Sequence, residues 1–99
     1  MGLTHSVAVR GAPDLRALLD GLARAGLPSA LLMIDNQLVP PSAPPPAAWR
    51  DVRLKTPAGT IALRLDGAQV HLTVFGNADA PLLAARDRIA LLLSEPRGL

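Results

Sequence analysis

The sequence predicts an α+β protein with one mixed, mostly antiparallel sheet of five or six strands and two helices, in the order β-α-β-β-β-β-β-α. Residues 52–75 alternate apolar and polar side chains, as three consecutive half-buried strands do. Apolar residues recur at helical spacing over 15–22 and 82–93. Both helical segments are short enough to lie across such a sheet, and layer packing then gives each apolar stripe a partner.

The first half of the chain supplies a strand, a helix and a second strand. Residues 3–10 form a strand with His5, Val7 and Val9 on one face. Pro13 suits the first turn of a helix, and Gly26 with Pro28 ends it, so the helix is expected over 13–25. The continuous apolar run 29–34 predicts a central strand buried on both faces.

A turn and a proline-rich loop lead to the second half. Asp35-Asn36-Gln37 predicts a turn, with Leu38-Val39 as a short returning edge strand. Five prolines then lie between positions 40 and 46, so residues 39–49 are expected to be an extended surface connector. Its Pro41 and Pro44 also fit a PxxP ligand spacing. Trp49 at its end is expected to pack over the loop or the end of the core.

The two hairpins that follow can be paired by matching their faces. A two-residue Asp66-Gly67 loop places Leu63 opposite Val70 and Arg64 opposite Gln69. At the preceding turn an even loop places Leu54 opposite Ile61 and Asp51 opposite Arg64, which predicts an exposed ion pair. Asp79 and Pro81 then begin the last helix, and Pro96 ends it.

The second face of this three-stranded meander is polar. Its candidate binding residues are Arg53, Lys55, Arg64, Gln69 and His71. A face of this kind is left to solvent or to another molecule, so at least the last helix is expected on the opposite face. A solvated sheet face is the simplest interpretation, and contact with a phosphate group or a protein is the functional one.

Composition limits the class of protein. The 99 residues are expected to form a single domain over 1–99, with 49% apolar residues and a formal net charge of +2. The chain has no cysteine, which fits a reducing cytoplasm, and its many Ala, Leu, Arg and Pro residues suggest a bacterial source. No apolar run reaches the roughly 20 residues that span a bilayer, so no membrane contact is expected.

Catalytic material is scarce, and we expect no enzyme, no cofactor and no metal site. The acidic residues are scattered singly rather than clustered as metal ligands. His71 is expected to be an ordinary surface histidine, because a general base needs a positioned partner and none is identifiable. His5 shares a face with Val7 and Val9 and is expected to be a partly buried structural residue.

The element order resembles that of a known family. The segment DLRALLDGLARAGLPSALLMIDNQLV, followed by a three-stranded meander and a terminal helix, resembles the roadblock-type fold over residues 14–95. The resemblance implies a small dimeric scaffold, although residues 39–49 are proline-rich where the family has a middle helix, and no functional residue carries over. In composition and size the chain is also similar to small uncharacterised single-domain proteins of Deinococcus–Thermus bacteria.

Three functions remain open from the sequence. The leading hypothesis is a non-enzymatic protein-interaction or scaffold module that forms a homodimer, because free sheet edges are usually paired or covered. The alternative is a nucleic-acid-binding module that uses Arg53, Lys55, Arg64 and His71, with Phe75 as a stacking platform. The third is a small enzyme or ligand-binding protein with a pocket near His71 and the proline-rich loop.

Overall fold

The computed structural model describes residues 3–9, 13–40, 42, 44–46, 48–74 and 79–94. The strands and helices in chain order are β1 (Leu3–Ala8), α1 (Leu15–Arg24), β2 (Ala30–Ile34), β3 (Gln37–Leu38), β4 (Asp51–Thr56), β5 (Gly59–Asp66), β6 (Gln69–Val74) and α2 (Ala80–Ser94). The predicted fold class and element order are confirmed.

The six strands form one open sheet in the order β1-β6-β5-β4-β2-β3. All five pairings are antiparallel, so the described strands contain none of the parallel pairs that a mixed sheet would have. The chain thus runs β4-β5-β6 as a meander, with the β2–β3 hairpin beside β4 and the first strand beside β6.

Both helices cover the same face of the sheet. The core combines the inward side chains of the two helices with those of the central strands; its most fully buried members are Leu15, Leu18, Leu22, Val52, Leu54, Ile61, Leu63, Val70, Leu72, Val74 and Ile89. The helices also pack on each other, and α2 lies over β1 and β6. The opposite face of the sheet, which we call the open face, carries no helix in the described part of the chain.

Each helix begins at an aspartate that caps it. The Asp14 carboxylate accepts hydrogen bonds from the N–H groups of Arg16 and Ala17, so α1 begins after Asp14 rather than at Pro13. The Asp79 carboxylate accepts from Leu82 N–H at 3.0 Å, as predicted. The predicted stop at Pro96 lies outside the described residues.

The second strand differs from its prediction. β2 lies second from the edge, between β4 and β3, and Leu31 is its one buried residue. A bulge between Leu31 and Met33 shifts its register with β4, so that Leu31 and Ile34 pair with core residues while Met33 pairs with Arg53 on the open face. An unbroken apolar run carries no information on which side is covered, and here the helices cover only one side.

The hairpin turns confirm the predicted faces and correct one register. Around Pro57-Ala58 the pairs Leu54–Ile61 and Asp51–Arg64 form as predicted. The next loop is Gly67-Ala68 rather than Asp66-Gly67, which pairs Asp66 with Gln69 and moves every cross-strand pair by two residues. Only Gly67 has a positive φ there, +60°, the pattern of a type II′ turn with glycine in its first position.

The described residues between 39 and 49 form neither helix nor strand, and both ends of this segment are held. The N–H of Val39 donates to Leu32 O at 3.1 Å. At the other end the Trp49 side chain is buried in the core cluster and donates its indole N–H to Pro13 O at 3.1 Å. Pro41 of the PxxP spacing lies outside the described residues.

Asp35 joins the β2–β3 turn to the start of β4. Asp35 and Asn36 both have positive φ, as the predicted turn requires, but Gln37 belongs to β3 and pairs with Ile34. The returning strand is therefore Gln37–Leu38 rather than Leu38-Val39. The Asp35 carboxylate accepts hydrogen bonds from the N–H groups of Asp51 and Arg50, each at 3.0 Å. These hydrogen bonds to the ionised form, with a smaller contribution from the charge of Arg50, lower the pKa of Asp35, and partial desolvation opposes them.

Candidate interaction surface

The five candidate residues lie together on the open face of the sheet. Arg53, Lys55, Arg64 and Gln69 are exposed, and His71 is half-buried. The alternate residues of these strands are buried, as predicted: Ile61 and Leu72 have no exposed surface. The meander is therefore apolar on one side only, which is the condition for treating the other side as a possible contact surface.

His71 is the second of four polar residues in a row that crosses four strands. The row runs from Ser6 on β1 through His71 and Arg64 to Asp51 on β4, each residue being the register partner of the next. Ser6 Oγ and His71 Nδ1 form a hydrogen bond of 2.7 Å, in which the hydroxyl donates when Nδ1 is unprotonated. This bond joins the first strand to the last one.

A carboxylate lies on the other side of the same imidazole. His71 Nε2 is 3.5 Å from Asp66 Oδ2, which is a weak contact while the histidine is neutral and an ion pair when it is protonated. Ser6, His71 and Asp66 thus form a chain of polar groups that the sequence alone did not identify. Alternation along the first strand places Ser6 on the face opposite to His5 and Val7. Only the β1–β6 register shows that Ser6 lies beside His71 on that face.

The basic residues are arranged on β4 and β5. Arg53 and Lys55 alternate with buried neighbours along β4 and pair with Ala62 and Thr60. Asp51 and Arg64 are register partners, but among the described residues their side chains form no ion pair, so that predicted contact is not made. Phe75, the predicted stacking platform, lies outside the described residues.

The β1 strand forms one edge of the sheet. It pairs with β6 over six consecutive residues, and in the part of the chain that the structure describes no strand pairs with its outer side. It carries no charged residue and no proline. The opposite edge differs, because β3 is only two residues long and both are exposed.

His5 is exposed rather than partly buried, which corrects its prediction. It points to the helix-covered side of the sheet, since its register partner is the buried Leu72. However, β1 is the last strand on this side in the described part of the chain, so no described strand lies beyond it to cover His5 from the outer flank.

An open depression of about 300 Å³ lies between α1, the start of β2 and the proline-rich segment, lined by Arg16, Leu19, Asp20, Ser29, Ala30, Leu31, Ser42, Pro44 and Pro45. His71 is not among its lining residues, so this depression is not the pocket that the third hypothesis requires. Among the residues with described positions, no group of three or more potential metal ligands comes together.

None of the helices in the described ranges is long and apolar enough to cross a bilayer.

Comparison of the chain with models of known protein families, with curated proteins and with solved structures finds no match. The functional conclusion therefore depends on the geometry of the open face and of the β1 edge.

Proposed function

We propose that this protein is a non-enzymatic protein-interaction module that acts as a homodimer in the bacterial cytoplasm. The observation that carries this proposal is the state of β1. A six-residue edge strand presents unpaired backbone groups, and native proteins usually shorten, bend, charge or cover such an edge. β1 is regular, uncharged and free of proline over all six pairs with β6.

A second copy of the chain is the partner that this edge favours. Most oligomers of soluble proteins are symmetric and built from identical subunits, with two-fold dimers by far the commonest. Pairing along β1 would remove its outward backbone groups from water.

The Ser6–His71–Asp66 chain fits a structural role in this proposal. Its members lie on neighbouring strands of an open sheet face, and Thr4 and Thr73 form a similar cross-strand contact, Oγ1 to Oγ1, at 3.1 Å. Two such contacts along one strand pair hold β1 on β6 by side chains as well as by backbone. An edge strand fixed in this way is a stable template for another strand.

The mass of the protein in solution tests the proposal. Sedimentation equilibrium over a hundredfold range of concentration, up to about the millimolar range, should give twice the mass of the 10.3 kDa chain at the upper end. A mass that stays at that of one chain throughout would contradict the homodimer.

Nucleic-acid binding is the second candidate, favoured by the three basic side chains of β4 and β5. Arg53, Lys55 and Arg64 are all exposed on the open face, although Asp51 and Asp66 lie on the same face and reduce its net positive charge. Binding through these residues would weaken steeply with salt. Fluorescence anisotropy of labelled single-stranded oligonucleotides at low salt tests it, with the Arg53→Ala/Arg64→Ala double variant as the control, and no binding by the wild-type protein would exclude it.

A further inference from the structure

We propose that two copies of this chain join edge to edge through β1, antiparallel, around a two-fold axis at Ser6, so that the two sheets form one continuous sheet of twelve strands. This inference rests on the proposed homodimer and adds its interface and register. Four observations support it: the direction of the backbone groups of β1, the self-complementary spacing of those groups, the small uncharged side chains of this edge, and the flank of α2 beside it.

The backbone groups of β1 divide into two sets. The N–H of Val9, just beyond the strand, donates to Ala68 O at 2.8 Å. Hydrogen-bonded pairs recur at every second residue of an antiparallel ladder, so the odd-numbered residues of β1 turn their N–H and C=O groups toward β6. The even-numbered residues Thr4, Ser6 and Ala8 turn theirs outward, and no backbone hydrogen bond uses these outward groups among the described residues.

This spacing is complementary to itself. When Ser6 faces the partner's Ser6 in an antiparallel pair, Thr4 faces the partner's Ala8 and Ala8 faces the partner's Thr4. All three outward N–H groups and all three outward C=O groups of each copy are then paired, because each facing pair exchanges two hydrogen bonds. A register shifted by two residues in either direction would keep only two of the three facing pairs. The Ser6-centred register therefore pairs the largest number of outward backbone N–H and C=O groups.

The side chains of the edge permit this approach. Thr4, Ser6 and Ala8 project onto the open face, where they are small and uncharged, so two copies bring no like charges together. An unrelated partner strand would need small, uncharged residues of its own at the facing positions. The β1 strand of a second copy has them because its sequence is the same.

The helix layer presents an apolar side chain at the same edge. Leu92 of α2 faces α1, where its methyl groups come within 3.3 Å of the position that a Cβ on Gly21 would occupy. Leu83 lies nine residues earlier, which is half a turn out of phase, so it lies on the flank of α2 away from α1. α1 lies toward β2, as the depression that they line together shows, so this flank faces the β1 edge. A second copy at β1 would cover the partly exposed Leu83.

Cysteine cross-linking can map this interface because the natural chain contains no cysteine. Directly facing residues of a hydrogen-bonded antiparallel pair have Cα atoms about 5.5 Å apart, within the range of a disulfide. We expect Ser6→Cys to form a disulfide-linked dimer under mild oxidation, seen on a non-reducing gel. Thr4→Cys and Ala8→Cys should cross-link when mixed and only weakly alone. Leu38→Cys, on the exposed opposite edge, measures cross-linking by random collision.

A proline variant tests the backbone pairing independently. Ser6→Pro removes an outward N–H that the β1–β6 ladder does not use, and proline is tolerated on an edge strand in this orientation. The dimer loses two hydrogen bonds at its axis, so its dissociation constant should rise about tenfold or more. Ser6→Ala removes the contact with His71 but keeps the N–H, so it should raise the dissociation constant less than Ser6→Pro does. Far-UV circular dichroism and the fluorescence of the buried Trp49 establish that each variant is folded.

The outcomes separate this inference from the proposed function. A monomeric wild-type protein overturns the homodimer and this interface together. A dimeric wild-type protein in which Ser6→Cys cross-links no more than Leu38→Cys overturns the β1 interface alone. Strong cross-linking of Thr4→Cys with itself overturns the Ser6-centred register. If Ser6→Pro is unfolded, the cross-linking pattern of the three cysteine variants decides the interface without it.

Discussion

The one-sided meander predicts opposite results for charge substitutions at two neighbouring residues of β5. Leu63 has no exposed surface and lies between its register partners Val52 and Leu72 in the core. Arg64, the next residue, is exposed on the open face. We expect Leu63→Asp to abolish folding and Arg64→Asp to leave a folded protein with nearly unchanged stability, because only the first substitution puts a carboxylate into the core.

The magnitude follows from the burial of Leu63. Removing its side chain alone, as in Leu63→Ala, costs about 2–5 kcal/mol because the lost burial is joined by a cavity. An ionised or unsatisfied carboxylic acid at the same position adds several kcal/mol more. The total reaches the roughly 5–15 kcal/mol that stabilises a typical domain. At Arg64 the substitution places a second carboxylate opposite the register partner Asp51, and this solvated like-charge pair is expected to cost at most about 1 kcal/mol.

Trp49 gives this prediction a direct assay. It is the single tryptophan of a chain without tyrosine, and it is 4% exposed, so its emission reports unfolding of the core. Urea titrations of the wild type, Leu63→Ala and Arg64→Asp should share one slope and differ in midpoint, while Leu63→Asp should show no cooperative transition. A cooperatively folded Leu63→Asp protein, or an unfolded Arg64→Asp protein, would refute the assignment of the two faces.

Three further substitutions test individual contacts. Asp35→Asn keeps the oxygen that accepts from β4 but loses the charge. Because the pKa of Asp35 is lowered in the folded protein, the stability advantage of the wild type should be fully present at neutral pH and shrink as the pH falls through the ordinary carboxyl range. The difference in melting temperature between the two proteins should therefore be smaller at pH 3 than at pH 7. Gly67→Val should destabilise the protein by about 1–2 kcal/mol because φ is positive there, and Gly67→Asn by less, with equal melting temperatures for the two counting against the turn assignment. Trp49→Phe should cost about 1–3 kcal/mol by leaving the Pro13 carbonyl without its donor, measured by circular dichroism in urea, and a neutral result would mean that water replaces the indole N–H.

The alternation of side chains predicted the faces of the meander but not every register. Moving the loop from Asp66-Gly67 to Gly67-Ala68 shifts the β5–β6 pairs by two residues, and a shift of two leaves each side chain on the same face. Face matching therefore cannot distinguish the two registers. The choice depends on the turn, where glycine alone takes the positive φ and Ala68 occupies a position that needs none.

The second strand shows the limit of hydrophobicity as a guide to position in a sheet. The run SALLMI has no alternation, which predicts a strand covered on both sides. In the structure the bulge after Leu31 alters which residues face the helices, and Met33 reaches the open face beside Arg53. A register shift of this kind has no signature in a short apolar run.

The five candidate residues of the open face were found from parity alone, and the contacts of His71 were not. Ser6 and His71 are 65 positions apart, and a pairing between the first and last strands depends on tertiary structure. Asp66 was assigned to a turn that begins one residue later. Local patterns gave the correct face for His71, whereas its partners required the strand order.

The segment between Val39 and Trp49 is attached at both ends, by the hydrogen bond to Leu32 and by the indole that reaches Pro13. The entropy of closing such a connection grows only slowly with its length, by about 0.6 kcal/mol for each doubling. A short peptide tag inserted after Ser42 should therefore leave the sheet and both helices intact. This makes the segment a suitable place for labelling the protein without disturbing either β1 or the open face.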